Sequence, residues 1–245
     1  MTTDIHAGLV SPGSVVDTTT DPGWTPVRVT VTLADPIVGI PRDPMHLDGP
    51  VSRAAFLAAS SRGLRLPPMG EWVHDFQLPF ATWTAPCTRS DPDPRLLAAD
   101  GQSVWGWACS AAHYTVLRHI VAYVRRRPAL EEMARWCTDR KHHISLGPRR
   151  AANIPNQGAW VQTITWWALA DKPRLEKLLT RLTHLGRVAR HGWGRILTTK
   201  VEEDPKAVHL WRLRDMPDPA GQIATIRAPY WHRSREMLCS SIRHA

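Results

Sequence analysis

The stretch Gly186-Arg-Val-Ala-Arg-His-Gly-Trp-Gly194, followed by Arg195, carries the ingredients of an anion-binding loop. Gly192 and Gly194 lack a Cβ, so backbone N–H groups there can approach a phosphate closely. Arg187, Arg190 and Arg195 supply charge, and His191 adds a further donor. Trp193 between the glycines reads two ways. It stacks on a base, at ~1–3 kcal/mol per base, or it plugs the core beneath the loop. A Gly-x-Gly alone says little; its place among arginines, after a leucine-striped segment and before a strand, gives it meaning.

A second segment has related chemistry. Lys141-His-His-Ile-Ser-Leu-Gly-Pro-Arg-Arg150, continuing to Asn153 and Asn156, mixes cations, imidazoles and amides without a core signature. Such a loop can project from a domain, with Lys141, Arg149 and Arg150 on phosphates while His142, His143, Asn153 and Asn156 reach bases.

The charge is concentrated around these two segments. The chain of 245 residues has a formal net charge of +9 and a pI near 10.0. Between Arg140 and Arg195 stand eleven Lys and Arg against only Asp171 and Glu176, so this region alone holds the excess. A polyanionic partner is the first inference. The plainer reading is a solvated helix face with loops that are basic by chance.

The elements that must position these residues follow from periodicity. Val27–Leu33 alternates apolar and polar, as a half-buried strand does, and Asp35-Pro36 breaks it. Residues 37–48 read as loop, 51–59 as a short helix, and 72–78 and 104–109 as strands. Residues 117–126 fit strand or helix equally, and 130–137 reads as helix. Trp160–Leu169 is β-branched and aromatic, hence strand. Asp171 and Pro173 open a helix carrying Leu175, Leu178, Leu179, Leu182 and Leu185, with Gly186 as its stop. A strand over 195–202 closes this unit. The class expected is α+β, the ferredoxin-like or RRM-like arrangement with long loop insertions, its second half being strand, helix, glycine loop, strand. Residues 1–25 read as a flexible arm, 26–204 as the domain with a basic thumb-like arm at about 138–158, and 205–245 as a C-terminal extension packing on it.

No apolar run reaches the roughly 18–20 residues that span a bilayer, and the first ten residues carry an acid and no basic region of a secretory signal. Cys87, Cys109, Cys137 and Cys239 are scattered, without metal-ligand spacing. They read as reduced thiols of a cytoplasmic protein with no metal and no cofactor. The 12 Trp against 3 Phe and 3 Tyr must build much of the core, and 21 dispersed Pro imply short elements joined by irregular loops.

At this point a resemblance enters. The pattern ending His191-Gly-Trp-Gly-Arg-Ile196 resembles the glycine-rich loop of the RAMP superfamily of CRISPR-associated RNA-binding proteins. Val27–Leu33 with Asp35-Pro36 and Met45-His-Leu-Asp-Gly49 is similar to the N-terminus of the type IV CRISPR subunit of the Cas-five-like group. Trp211-Arg-Leu-Arg-Asp-Met-Pro217 and Ala228-Pro-Tyr-Trp-His-Arg-Ser-Arg-Glu-Met-Leu-Cys239 resemble that group's closing segments. Trp193 inside the glycine loop and Gly49-Pro50 after His-Leu-Asp depart from the pattern. The resemblance implies a RAMP fold and a non-catalytic subunit of a type IV ribonucleoprotein. That subunit would cap the 5′ handle of the guide RNA (crRNA) and join the backbone subunits to the large subunit, near the target DNA flanking motif. Some RAMP proteins instead cleave precursor RNA without metal, using His. His46, His113, His142, His143, His184 and His191 make a metal-independent endoribonuclease the alternative. His46 is counted with the RNA-facing residues; otherwise it belongs to a structural turn in which Asp48 caps the following helix.

Overall fold

The computed structural model describes residues 9–10, 23–39, 44–61, 75–126 and 152–240. The expected helix at 130–137, most of the expected N-terminal arm, and Lys141, His142, His143, Arg149 and Arg150 lie outside those residues. In chain order the elements are β1 (Leu9–Val10), β2 (Thr25–Leu33), β3 (Ile37–Val38), α1 (Asp48–Ser61), β4 (Asp75–Phe76), β5 (Thr82–Pro86) and β6 (Ser103–Trp107). There follow β7 (His113–Tyr114), β8 (Arg118–Arg126), β9 (Ala152–Trp160), β10 (Thr163–Ala170), α2 (Lys172–Leu179), β11 (Ile196–Glu203), α3 (Ala207–Leu210), β12 (Met216–Thr225) and β13 (Glu236–Ser240).

The central sheet has the order β11-β2-β10-β7, and every neighbouring pair is antiparallel. Period-2 alternation makes one face of it apolar. Val27, Val29, Val31 and Leu33 are buried on β2, and the register sets Val29 opposite Trp166 and Val31 opposite Ile164 on β10. The two longer helices add to the same core through Val51, Ala54, Ala55 and Ala59 of α1 and Leu175, Leu178 and Leu179 of α2. Alanine on the inner face of α1 lets that helix approach closely, and Pro50 is tolerated in its first turn, where the N–H needs no helical partner.

Two insertions and a tail surround this sheet. The β5–β6 hairpin, lying between α1 and β7, joins the C-terminal segment in a second core that includes Trp83, Val104, Trp211, Ile226 and Met237. The β8–β9 hairpin pairs over its whole length, from Arg118 opposite Trp160 to Arg126 opposite Ala152, and β3 extends it on the β9 side.

Three sequence expectations need correction. Residues 117–126, undecided between strand and helix, are strand β8. The single strand expected over 160–169 is two, because the chain turns at Val161-Gln162 out of the hairpin sheet and into the central one. β-branched and aromatic residues look alike on both sides of that corner. Third, α2 stops at Leu179, so Leu182 and Leu185 are buried in a turn and not on a helix. Thr180 Oγ1 donates to Lys177 O at 2.8 Å, and the N–H groups of Arg181 and Leu182 bond three residues back, to Leu178 O and Leu179 O. The last turn tightens there and the helix ends.

Candidate nucleic-acid interface

Asp171 caps α2, its carboxylate accepting from Arg174 N at 3.2 Å, and this fixes where the chain leaves the sheet. The glycine loop then returns beneath the end of β2. Leu185 N donates to Gly194 O at 2.8 Å, Gly194 N to Pro36 O at 2.9 Å, and Arg187 N to Val38 O at 2.9 Å. Gly186 has φ +92°, and a Cβ on it would lie 2.7 Å from Val38 O. Gly194 has φ +71° and a Cβ on it would lie 2.1 Å from Leu185 O. These glycines are required by close packing of backbone on backbone.

That arrangement corrects the phosphate-cradle expectation for the amides. The Gly194 N–H is spent on Pro36 and the Gly192 N–H on Ala189 O at 3.0 Å. Gly192, at φ +88°, is exposed, with nothing within 4 Å of an added Cβ. Side chains must therefore do the work the amides cannot. Arg187, His191 and Arg195 are exposed. Arg195 Nε donates to Asp35 Oδ2 at 3.2 Å across an exposed pair. Arg190 lies in a short 3-10 turn, Ala189–His191. Trp193 is half-buried and sits in neither core cluster.

The described end of the arm expected at 138–158 is strand and not loop. Residues 152–158 belong to β9, and Asn153 and Asn156, three apart on a strand, face opposite sides. Asn153 is exposed opposite Arg125, whereas Asn156 pairs in register with Ala122 and donates Nδ2 to Ile154 O at 3.0 Å. The face that carries Asn153 also carries His119, Tyr123 and Arg125 from β8, all exposed, with Tyr123 at 58%. None of these three stood out in the sequence. Only a strand assignment for 117–126 puts them on one side.

The glycine loop and the base of this hairpin meet at β3. Gly39 N donates to Gln157 O at 3.1 Å while Val38 O receives Arg187 N. A Cβ on Gly39 would lie 2.9 Å from the Arg187 side chain, and one on Gly158 would lie 2.7 Å from Ile37 O. Two segments read separately as basic loops are thus stitched to one two-residue strand.

His46 is a correction. Expected among the RNA-facing residues, it is 1% exposed. The chain beside it is pinned: Ala112 N and Trp166 Nε1 both donate to Met45 O, and Leu47 N donates to Ser110 O, which turns the imidazole inward. Its Nε2 accepts from Asp215 N at 3.3 Å, and its ring stacks on Tyr230 at 5.1 Å. Burial first, and the Arg214 guanidinium second, hold its pKa well below the usual 6.5. The Asp215 carboxylate, 3.5 Å away, pulls the other way. The lone pair needed to accept the Asp215 N–H decides for the neutral ring. Unfolded chain therefore takes up a proton that native chain refuses, so stability is complete above about pH 6.5 and falls as the pH drops below it. The expected slope is at most about 1.4 kcal/mol per pH unit from this one residue. Urea midpoints from pH 7.5 to 5 measure it, and His46→Gln should lose that part of the slope; equal slopes in both proteins would refute the assignment.

Asp48 was expected to cap α1. Instead its carboxylate reaches across the chain, accepting from Ala228 N at 3.0 Å and from Tyr230 OH at 2.5 Å, with Arg214 Nη2 at 3.9 Å. Arg214 donates to Trp107 O, Cys109 O and Ile226 O. Arg227 lies 3.8 Å over the Trp105 ring and donates to Trp105 O at 2.7 Å, while Arg235 donates to Arg95 O at 2.9 Å. All three arginines are fully buried. The sequence motifs at 211–217 and 228–239 thus include residues that bolt the tail to the insertion hairpin.

The geometry can be set beside known proteins. A family model described as CRISPR type IV associated protein Csf3 matches residues 138–241, from the hairpin through the glycine loop to the end of the bolted tail. Over those residues, less than half of the chain, it is similar to that type IV CRISPR-associated family. No curated protein matches it. No helix among the described residues is long and apolar enough to cross a membrane.

Proposed function

We propose that this chain is a subunit of a type IV CRISPR complex that binds the guide RNA, capping its 5′ handle, and that it does so without catalysis. In this reading it joins the backbone subunits to the large subunit in the cytoplasm and lies near the motif flanking the target DNA. The observation that carries the proposal is the meeting of the glycine loop and the hairpin base at β3, which joins the loop bearing Arg187 and His191 to the hairpin bearing His119, Tyr123 and Arg125. The strand order supports a ferredoxin-like RAMP core. Taking β2, β7, β10 and β11 as its first to fourth strands, with α1 and α2 as the crossovers, the order is fourth, first, third, second, all antiparallel. The exposed Tyr123, Arg125 and His119 on the hairpin suit stacking and backbone contact with single-stranded RNA.

Reversing Arg187 and Arg190 to Glu, and Arg149 and Arg150 to Glu, should each weaken RNA binding at least about tenfold. Each lost phosphate contact should lower the slope of log K against log salt by about 0.7. Fluorescence anisotropy with handle-bearing RNA, titrated at several salt concentrations, measures both. Unchanged binding and slope with all four arginines reversed would end the proposal, and cleavage of that RNA in EDTA would replace it with the endoribonuclease reading.

A further inference from the structure

A groove of about 770 Å³ opens beside the glycine loop, on residues that the proposed RNA contacts mostly leave out. Four stretches far apart in the chain converge on it: 38–39, the start of α1, the turn at 182–187, and the tail at 223–236. Its volume falls in the range of sites that hold a small organic ligand, roughly 300–1,000 Å³.

The lining has two kinds of chemistry. Trp231 is 53% exposed, a large indole surface left open to water, and its neighbour His232 meets it edge-on at 5.4 Å. Next to Trp231 in the lining is Tyr230, whose hydroxyl is tied to Asp48 and whose ring is stacked on His46, so that wall is rigid. Around these aromatics stand Arg53 from α1, Arg187 from the glycine loop, and His184. Arg53 and Arg187 are exposed, and among the described residues the acids in the lining are Glu236 and the buried Asp215. Glycines at 39, 49 and 186 keep the walls low: a Cβ on Gly49 would already touch the Tyr230 ring at 3.4 Å.

An exposed indole and two guanidiniums lining one groove are the chemistry that holds an unstacked nucleotide, with the base on the ring and the phosphate on the cations. We propose that this groove is a nucleotide subsite. It takes one base of single-stranded RNA against Trp231, with the adjoining phosphate on Arg53 and Arg187. The inference rests on the RNA-binding reading above and extends it to the start of α1 and to the tail, which that reading does not use.

The test uses the full-length protein and a fluorescein-labelled single-stranded RNA carrying the handle. Trp231→Ala should bind about 5- to 100-fold more weakly, the loss of one aromatic stack, with an unchanged salt slope. Trp231→Phe should recover most of that affinity, which a general disturbance of the fold would not allow. Arg53→Glu, on an exposed helix position, should instead lower the salt slope by about 0.7. If Trp231→Ala and Arg53→Glu both bind as wild type while reversal of Arg187 and Arg190 still weakens binding, the groove inference falls and the RNA reading stands. If wild-type protein itself does not bind the RNA, both fall. If Trp231→Ala keeps RNA affinity but no longer co-purifies with the other type IV subunits, the groove is a protein docking surface and the nucleotide subsite is overturned.

Discussion

Asp48→Ala is expected to lower the unfolding free energy by about 3–5 kcal/mol, a large part of what a domain of this size has in reserve. The carboxylate accepts from the Ala228 N–H and the Tyr230 hydroxyl, and it lies 3.9 Å from the fully buried Arg214. Removing it leaves two donors and a guanidinium in a place water does not reach. Burial works against a charged Arg214, yet its pKa is raised, and the Asp48 and Asp215 carboxylates keep the guanidinium protonated. The side chain cannot escape its cost by losing a proton. Burial and the neighbouring carboxylate also push the Tyr230 hydroxyl well above its ordinary range, so it stays a donor at any working pH. Asp48→Asn, which keeps one acceptor oxygen, should lose less. Urea denaturation followed by tryptophan fluorescence reports both, since Trp105 and Trp83 lie beside the buried arginines. A loss of under about 1 kcal/mol for Asp48→Ala would mean that Arg214 is held by its carbonyl acceptors alone.

The second large effect is at Gly194. An alanine there must hold φ near +71°, which costs an L-residue about 1–2 kcal/mol, and must also place its Cβ where Leu185 O now stands. The colliding atom is backbone, in a residue whose own N–H is bonded to Gly194 O, so it cannot swing aside as a side chain would. We expect Gly194→Ala to cost about 2–4 kcal/mol and to weaken RNA binding by loosening the loop from Pro36. Gly192→Ala is the comparison: φ is +88°, but the space around it is open, so only the backbone term of about 1 kcal/mol should remain. Equal midpoint shifts for the two variants would refute the packing argument.

What sequence reasoning could reach followed the reach of local rules. β2 was readable because Val27, Val29, Val31 and Leu33 alternate with polar residues on a strand buried on one face. The cap at Asp171 was readable because it needs only neighbours within a few residues, whereas Gly186, expected as the helix stop, lies beyond the end of α2 at Leu179. The length of α2 was not, since Leu182 and Leu185 keep helical spacing while being buried from a turn. The glycine loop was located correctly but assigned the wrong reason. Gly186 and Gly194 answer to Val38 and Leu185, and only Leu185 is near Gly194 in the chain. His46 was misplaced because its burial is set by Ser110, Ala112 and Asp215, none of them within reach of a local pattern. The hairpin face with Tyr123 and Arg125 was missed for a simpler reason: nine residues fitting two periods give no face at all.

The Asp48 contacts also bear on how the chain reaches its native state. Their partners lie 180 and 182 residues further along, so this part of the fold is made by closure of a very long loop. At ordinary synthesis rates, roughly 10–40 s separate the appearance of Asp48 from that of Tyr230. For the first part of that interval β2 and α1 lack β10, and throughout it Asp48 lacks its partners in the tail. Truncation from the C-terminal end, even by the last strand pair alone, is therefore a defect of the whole domain and not of an appendage, and nascent chains stalled before residue 230 are the ones a chaperone would meet.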